Sequence, residues 1–225
     1  GYMKGERGFQ RYYAFTYTNT AEYRFNVNET HNFNFLLGHE SIISKNQAFG
    51  AEVDGLTDTR LTLMSAGSTS TVPSHSKTEK VFNSYFATAS YNFAEKYFVD
   101  ASFRRDGSSL FGENSKWGSF WSLGAMWDIK KESFLEDVEW LDRLQIKASY
   151  GSVGNSSGLS PYMAYGLIGS GPMYGGASGT AVANPANPDL TWEIAKSTNI
   201  GLNARVFDRV SLDVDFYNRD VEDML

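Results

Sequence analysis

Apolar and polar side chains alternate along the chain with a period of two over long stretches. From Tyr13 to Val27 the odd positions carry mostly aromatic and aliphatic residues, whereas the even positions from Thr16 carry mainly threonine, asparagine and charged residues. Successive side chains of a β-strand point to opposite faces, so this alternation predicts a strand with one apolar face. At about 3.3 Å per residue such a strand spans roughly 50 Å, whereas a typical strand has about five or six residues.

The same alternation recurs along the chain and predicts eight antiparallel strands. Residues 130–142 interrupt it, because their apolar side chains recur at helical spacing, and we expect a short helix there. The predicted short turns lie near residues 29, 95 and 208, and the predicted long connections are residues 46–77, 106–116 and 151–190. Short turns at one end of the strands and long loops at the other are typical of an outer-membrane β-barrel.

The tryptophans of one predicted strand favour a membrane-facing surface. Trp117 and Trp127 share a face and lie ten residues apart, which is about 33 Å along a strand or about 25 Å along the axis of a tilted barrel. This separation matches the two aromatic girdles of an outer-membrane barrel. The charged residues lie mostly on the opposite faces of the strands, which fits a hydrated lumen but also the outer surface of a soluble sandwich. They are Glu22, Arg24, Lys80, Asp100, Arg104, Arg143, Lys147, Arg205, Asp213 and Asp215.

Composition excludes several classes of function. The 225 residues contain no cysteine and only three histidines, so we expect no disulfide framework, no metal site and no cofactor. A net charge of −6 argues against nucleic acid as a partner, because phosphate recognition needs clustered Lys and Arg. The acidic residues between Glu132 and Asp142 have no partner group for acid–base chemistry, so we predict a solvated face and no enzyme activity.

Five ordered segments then point to a known family. Together they resemble the barrel of the SusC/RagA family of TonB-linked outer-membrane proteins of Bacteroidetes, in order and in spacing, over essentially residues 10–225. The segments are Arg104–Gly112 with Lys116-Trp117-Gly118, Leu144–Asn155, Asn187–Glu193, Thr198–Leu202 and Asp215–Asn218.

This resemblance implies an all-β fold and a transport function. The family's barrel has 22 strands and a lumen closed by a plug domain, so residues 1–225 are expected to be part of the barrel domain, without a plug or a signal peptide. It implies nutrient import across the bacterial outer membrane, surrounded by membrane lipid, for oligosaccharides or peptides. A SusD-like surface lipoprotein would act as partner, and TonB would be contacted through a plug region absent from these residues.

Two other functions stay open on the residues alone. Eight strands could close by themselves into a small outer-membrane barrel that serves as an adhesin or a pore. A soluble β-sandwich that binds carbohydrate could also bury the apolar faces.

Three groups of residues are candidates for functional roles. Tyrosines of the glycine-rich loop could stack on sugar rings or contact a lid, or could simply pack the loop; these are Tyr162, Tyr165 and Tyr174. Charged residues of one motif could line the lumen, although Asp106-Gly107-Ser108-Ser109 also suits a turn; these are Arg104, Arg105 and Asp106. The predicted membrane-interface anchors are Trp117, Trp127 and Trp192.

Overall fold

The computed structural model describes residues 3–70 and 73–224, which form eleven β-strands. The strands are β1 (Met3–Val27), β2 (His31–Leu56), β3 (Thr69–Ser70), β4 (Ser74–Phe93), β5 (Tyr97–Ser108), β6 (Trp117–Asp128), β7 (Leu141–Asn155), β8 (Leu167–Tyr174), β9 (Ala177–Asn184), β10 (Glu193–Val206) and β11 (Val210–Glu222). Three single turns of 3-10 helix cover Met64–Ala66, Ile129–Lys131 and Ser133–Leu135.

Eight of these strands pair in the order β1-β2-β4-β5-β6-β7-β10-β11. The pairs from β4 to β11 are antiparallel, and β3 adds a short pairing to β2. The eight predicted strands are therefore confirmed, in one continuous path and not in the two stacked sheets of a sandwich. Within the described residues, β1 and β11 are the ends of the path and do not pair with each other, as a self-contained eight-stranded barrel would require.

The register places apolar side chains on one face of β4 to β11. Phe103 lies opposite Trp121, Leu123 opposite Tyr150, and Ile200 opposite Phe216. The other face carries pairs such as Ser102 with Ser122 and Asn203 with Asp213. Large apolar side chains of the first face are solvent-exposed throughout, as expected of a surface that contacts lipid.

The three short turns place residues other than glycine at positive φ, and of these only Asn28 and Asp208 are types that adopt it readily. Both central residues of each turn have positive φ, which type I′ hairpin turns require. The pairs are Asn28 and Glu29 (51° and 57°), Ala94 and Glu95 (50° and 54°), and Phe207 and Asp208 (54° and 50°). A left-handed conformation costs roughly 1–2 kcal/mol for a residue with a Cβ, so these turns store strain at the ends of well-paired strands.

Neighbouring short connections are also hydrogen-bonded to each other. The Ala94 amide donates to the Thr30 carbonyl at 2.7 Å, and the Asp128 amide donates to the Lys96 carbonyl at 2.7 Å. Further along the sheet, the Phe207 amide donates to the carbonyl of Trp140 at 2.8 Å. The end of the sheet with short connections is therefore joined from turn to turn as well as from strand to strand.

Three long regions differ from the sequence prediction. The helix predicted in residues 130–142 is wrong, since two 3-10 turns occupy this region and the Lys130 ammonium donates to the carbonyls of Leu135 and Val138 at 2.8 and 2.9 Å. The predicted loop 46–77 is shortened because β2 continues to Leu56. The predicted loop 151–190 contains the separate β8–β9 hairpin. Among the described residues, no helix is long and apolar enough to cross a membrane.

Contacts divide the chain into two compact units. The first comprises Gly1–Thr16 with Ile42–Val81, and in its described part Val53 and Leu56 are buried. Its loop is tied to β1 by a hydrogen bond from Arg7 Nη2 to the Thr62 carbonyl at 3.4 Å, beside a cavity of about 360 Å³. The second unit comprises Tyr17–Ser41 with Phe82–Leu225, and it holds the residues discussed below.

Replacing Ala94 by glycine should stabilise the protein by about 0.5–1 kcal/mol, because glycine adopts positive φ without the cost of a Cβ. The free energy of unfolding in urea, measured in detergent, tests this. Ala89 lies within β4 and does not have positive φ, so Ala89→Gly should destabilise the protein by about 0.5–1 kcal/mol. Equal effects of the two substitutions would contradict strain at the turn.

Candidate functional site

Arg104 is the centre of a charged network on the polar face of the sheet. Its Nε donates to Asp106 Oδ1 at 2.7 Å, and its Nη2 donates to Ser84 Oγ at 3.0 Å. The same Nη2 lies 3.5 Å from Glu40 Oε1. The guanidinium also stacks over Phe86, with 5.5 Å between its carbon and the ring centre. Two carboxylates and a hydroxyl thus hold one cation in a fixed orientation.

Arg105 lies on the opposite face from its neighbour. It is opposite Tyr85 in the β4–β5 register, and its guanidinium carbon lies 5.6 Å from the ring centre of Trp117. The structure therefore places Arg105 differently from the prediction that it lines the lumen with Arg104 and Asp106. The reason is the strand period of two, which sends adjacent side chains to opposite faces.

An amide-rich recess lies on the polar face beside the short turns, with a volume of about 220 Å³. Side chains on the polar face supply amides, one arginine, one aspartate, one serine and the ring of Phe98, whereas the rings of Phe33 and Tyr91 pack together on the apolar face. The lining residues are Arg24, Asn26, Asn32, Phe33, Asn34, Ser90, Tyr91, Asn92, Phe98 and Asp100. The carbonyl oxygen of the Asn34 side chain is buried and has no hydrogen-bond partner within the described residues. A buried acceptor without a partner costs stability, so a donor that reached this oxygen would be bound favourably.

Sequence reasoning did not select this recess. The sequence does contain a signal for it, which is asparagine at alternate positions on both sides of the first short turn: Asn26, Asn32 and Asn34. The alternation within a single strand does not reveal the recess, because it forms only when β1, β2, β4 and β5 lie side by side.

Two of the family-like segments meet in one buried cluster. It contains Leu110, Phe111, Phe120, Leu159 and Trp192. The rings of Phe111 and Trp192 lie 4.2 Å apart, and Phe120 meets Trp192 edge-on at 5.5 Å. The loop after β5, the loop after β7 and the entry to β10 are thus packed together although they are far apart in sequence.

Backbone hydrogen bonds align two of these segments. The amide of Gly112 donates to the Leu190 carbonyl at 3.0 Å, and the Asn114 amide donates to the Pro188 carbonyl at 3.1 Å. The Asn114 side chain adds a bond to Asp189 Oδ1 at 2.8 Å. A Cβ at Gly112 would overlap the Pro188 carbonyl, so the close approach of the two chains requires glycine.

The loop tyrosines lie near this cluster but not inside it. Tyr162 and Tyr165 are exposed, with ring centres 6.4 Å apart, in a turn whose Ala164 is buried. Asn184 holds the turn by donating to the carbonyls of Met163 and Tyr165 at 2.7 and 2.9 Å. Tyr174 ends β8, and its side chain lies outside the described part of the structure.

The predicted anchors fall into two environments. Trp117 and Trp127 are exposed on the apolar face at opposite ends of β6. Trp192 is instead 5% exposed in the buried cluster, where its indole donates to the Lys116 carbonyl at 3.3 Å, so the structure places it away from the surface that an anchor needs. Trp140, which sequence reasoning assigned to a helix, is exposed beside the short turns and packs on Phe207, with ring centres 6.1 Å apart.

Glu132 joins two aromatic side chains and a lysine at the short-turn end of the sheet. It accepts hydrogen bonds from the Tyr97 hydroxyl at 2.6 Å and the Trp127 indole at 3.1 Å, and it pairs with the Lys96 ammonium at 3.2 Å. These bonds, with that from Tyr97 the largest, hold the pKa of Glu132 below its usual value of 4.5. The described residues contain no group of three or more side chains placed to hold a metal ion.

Known proteins resemble this chain in sequence and in fold. The model of the family described as "TonB dependent receptor-like, beta-barrel" matches residues 2–225. A TonB-dependent receptor of Formosa agariphila is 34% identical over 149 residues, which are 66% of this chain and 14% of that protein. TonB-dependent receptor SusC of Bacteroides thetaiotaomicron is 30% identical over 155 residues, which are 66% of this chain and 16% of that protein.

The solved structure of the RagAB peptide transporter is similar in fold and sequence. It matches with a TM-score of 0.90 and 37% identity over 98% of this chain and 25% of that chain. The chain thus spans a quarter or less of the length of these relatives.

Gly112→Ala should destabilise the protein by about 1–3 kcal/mol, because the new methyl group would separate the two loops that Gly112 and Leu190 join. Gly124→Ala is the matched control, since a Cβ there would lie 3.8 Å from its nearest neighbour. Unfolding in urea measures both. A Gly112→Ala protein as stable as the control would contradict the tight contact.

Acid should weaken the Glu132 cluster. A carboxyl with a lowered pKa contributes stability that is present above its unfolded pKa of about 4.5 and is lost as the pH falls through its folded pKa. Glu132→Gln should therefore unfold at a lower temperature than the wild type at pH 7, and the difference should shrink as the pH falls towards 3. Thermal melts across this pH range test the prediction, and a difference that stays constant would contradict it.

Proposed function

Because this chain belongs to the TonB dependent receptor-like β-barrel family, we propose that it forms part of the wall of a bacterial outer-membrane transporter. The apolar face contacts membrane lipid and the polar face lines the transport path. The relatives are receptors and transporters and not enzymes, and this chain is assigned the same non-catalytic role. Import would draw energy from TonB, through a plug outside these residues.

The amide-rich recess carries this proposal. It combines the buried, unpartnered side-chain carbonyl of Asn34 with further amides at Asn26 and Asn32 and the ring of Phe98. Neutral donors and acceptors beside aromatic rings suit hydroxyl-rich ligands, because each hydroxyl both donates and accepts while apolar sugar faces stack on rings. The proposed substrate class is therefore oligosaccharide.

Peptides are the second candidate, on a separate observation. RagAB is described as a peptide transporter, and its structure matches nearly the whole chain at 37% identity. Backbone amides and carbonyls of a peptide would satisfy the same asparagine side chains. The charged network at Arg104, Glu40 and Asp106 could then hold peptide termini, with both signs of charge within about 4 Å, the reach of an ion pair.

A surface lipoprotein of the SusD type is the proposed partner. Its contact would include Tyr162, Tyr165 and Tyr174 on the loop between β7 and β10, and outer-membrane lipid would surround Trp117 and Trp127. The exposed rings of Tyr162 and Tyr165, on a turn that Asn184 holds by two hydrogen bonds, support this assignment. Tyrosine provides a large contact area at a low entropic cost, which suits a protein interface.

Asn34→Ala in the full-length transporter should reduce uptake of the preferred substrate at limiting concentration by about five- to ten-fold, the effect of one lost hydrogen bond. Cells expressing the variant are given labelled oligosaccharides or labelled peptides, and uptake is measured for each. Asn199→Ala is the matched control, because Asn199 also has a buried unpartnered side-chain carbonyl but lies outside the recess. Uptake by Asn199→Ala should equal that of the wild type.

Two outcomes would refute the proposal. Uptake that persists undiminished in cells without TonB would exclude active import. Equal uptake by Asn34→Ala and Asn199→Ala for both substrate classes would exclude the recess as a binding site. The labelled class that responds to Asn34→Ala identifies the substrate.

A further inference from the structure

Arg105 is the first charged residue met on the apolar face of its strand when moving from the short turns towards the long loops. Between the turn and Arg105, this face of β5 carries Tyr97, Val99, Ala101 and Phe103. The same face of the two neighbouring strands is uncharged over the matching length. The charge of Arg105 therefore ends the apolar band on β5, and the side chain is exposed on this outer face.

The surroundings of Arg105 form an ordered aromatic column. Its guanidinium lies over Trp117 at 5.6 Å, and the rings of Trp117 and Tyr85 have centres 6.2 Å apart at an interplanar angle of 28°. Tyr85 in turn packs against His39, at 4.8 Å between ring centres. Tyr85 and Trp117 are about half exposed. The stacking positions the guanidinium without using any of its N–H donors.

The depth of Arg105 matches the membrane surface. Eight residues separate it from Tyr97, which is about 26 Å along the strand or about 20 Å along the axis at a tilt of about 40°. The apolar band of such barrels is about 25 Å tall, and long cationic side chains extend towards the headgroups. Arg105 therefore reaches the headgroup layer on the side of the long loops.

We propose that Arg105, Trp117, Tyr85 and His39 form a binding site for the phosphorylated headgroup of a glycolipid in the outer leaflet. The guanidinium donates two parallel hydrogen bonds to phosphate oxygens, the ring of Trp117 holds it in place, and the Tyr85 hydroxyl and His39 add polar contacts at the same level. Arginine suits this task because its planar fork matches phosphate geometry.

The contrast with Arg104 supports a ligand for Arg105. Arg104 is paired with Glu40 and Asp106, whereas Arg105 has no ion pair with any described residue. A cation left at the edge of hydrocarbon is unfavourable unless an anion accompanies it. Because the aromatic column is embedded in the lipid-facing surface, the anion is best supplied by a lipid whose chains lie along Tyr85 and Trp117, and not by a dissolved ion.

Binding of phosphorylated lipid A to the full-length receptor in phosphatidylcholine nanodiscs tests this site. Arg105→Gln should weaken binding about ten-fold, as expected for one charge-assisted interaction. Arg105→Lys should fall between Gln and wild type, because it keeps the charge and loses the fork. Arg209→Gln is the matched control, since it removes an exposed arginine at the short-turn end. It should bind as the wild type does.

Further comparisons separate the sources of phosphate. Dephosphorylated lipid A should bind the wild type and Arg105→Gln equally weakly, and inorganic phosphate should not compete. Competition by inorganic phosphate, equal binding of both forms of lipid A, or unchanged binding by Arg105→Gln would each overturn the proposal. Heat-modifiable migration on gels confirms that each variant is folded. Since lipid binding is measured without substrate, its failure is distinguishable from failure of the uptake proposed above.

Discussion

Backbone hydrogen bonding inside a hydrocarbon layer is the constraint on which this structure depends. No water is available there, so each N–H and C=O must be paired within the protein, and strands meet this demand only through their neighbours. The continuous ladders from β4 to β11 satisfy it across every strand boundary. Once the ladders are in register, side chains have only two directions, and the division into a lipid-facing and a hydrated face follows.

Period-two alternation predicted the parts of the fold that this constraint governs. It correctly identified the eight long strands and the three short turns, because the opposite environments of the two faces leave a strong trace in the sequence. The same period also assigns Arg104 and Arg105 to opposite faces, and treating Arg104, Arg105 and Asp106 as one lumenal group overlooked it. The division of that motif was therefore predictable.

Regions outside the ladders were predicted less well, for physical reasons. Phe134, Leu135 and Val138 have helical spacing, but the Lys130 ammonium takes the carbonyls of Leu135 and Val138 that a helix would use. Half of the residues in β8 and β9 are glycine, alanine or serine, which leave little alternation to detect. The burial of Trp192 depends on Phe111, which is about eighty residues away in sequence, and no local pattern reports such a contact.

The two ends of the strands differ in how they are connected. At one end, the amides of Ala94, Asp128 and Phe207 donate to the carbonyls of Thr30, Lys96 and Trp140, so that neighbouring short connections are linked along this edge of the sheet. At the other end, the loop after β5, the loop after β7 and the entry to β10 meet in the cluster at Trp192. Neighbouring turns can separate only if these hydrogen bonds break, so the short-turn edge of the sheet resists spreading.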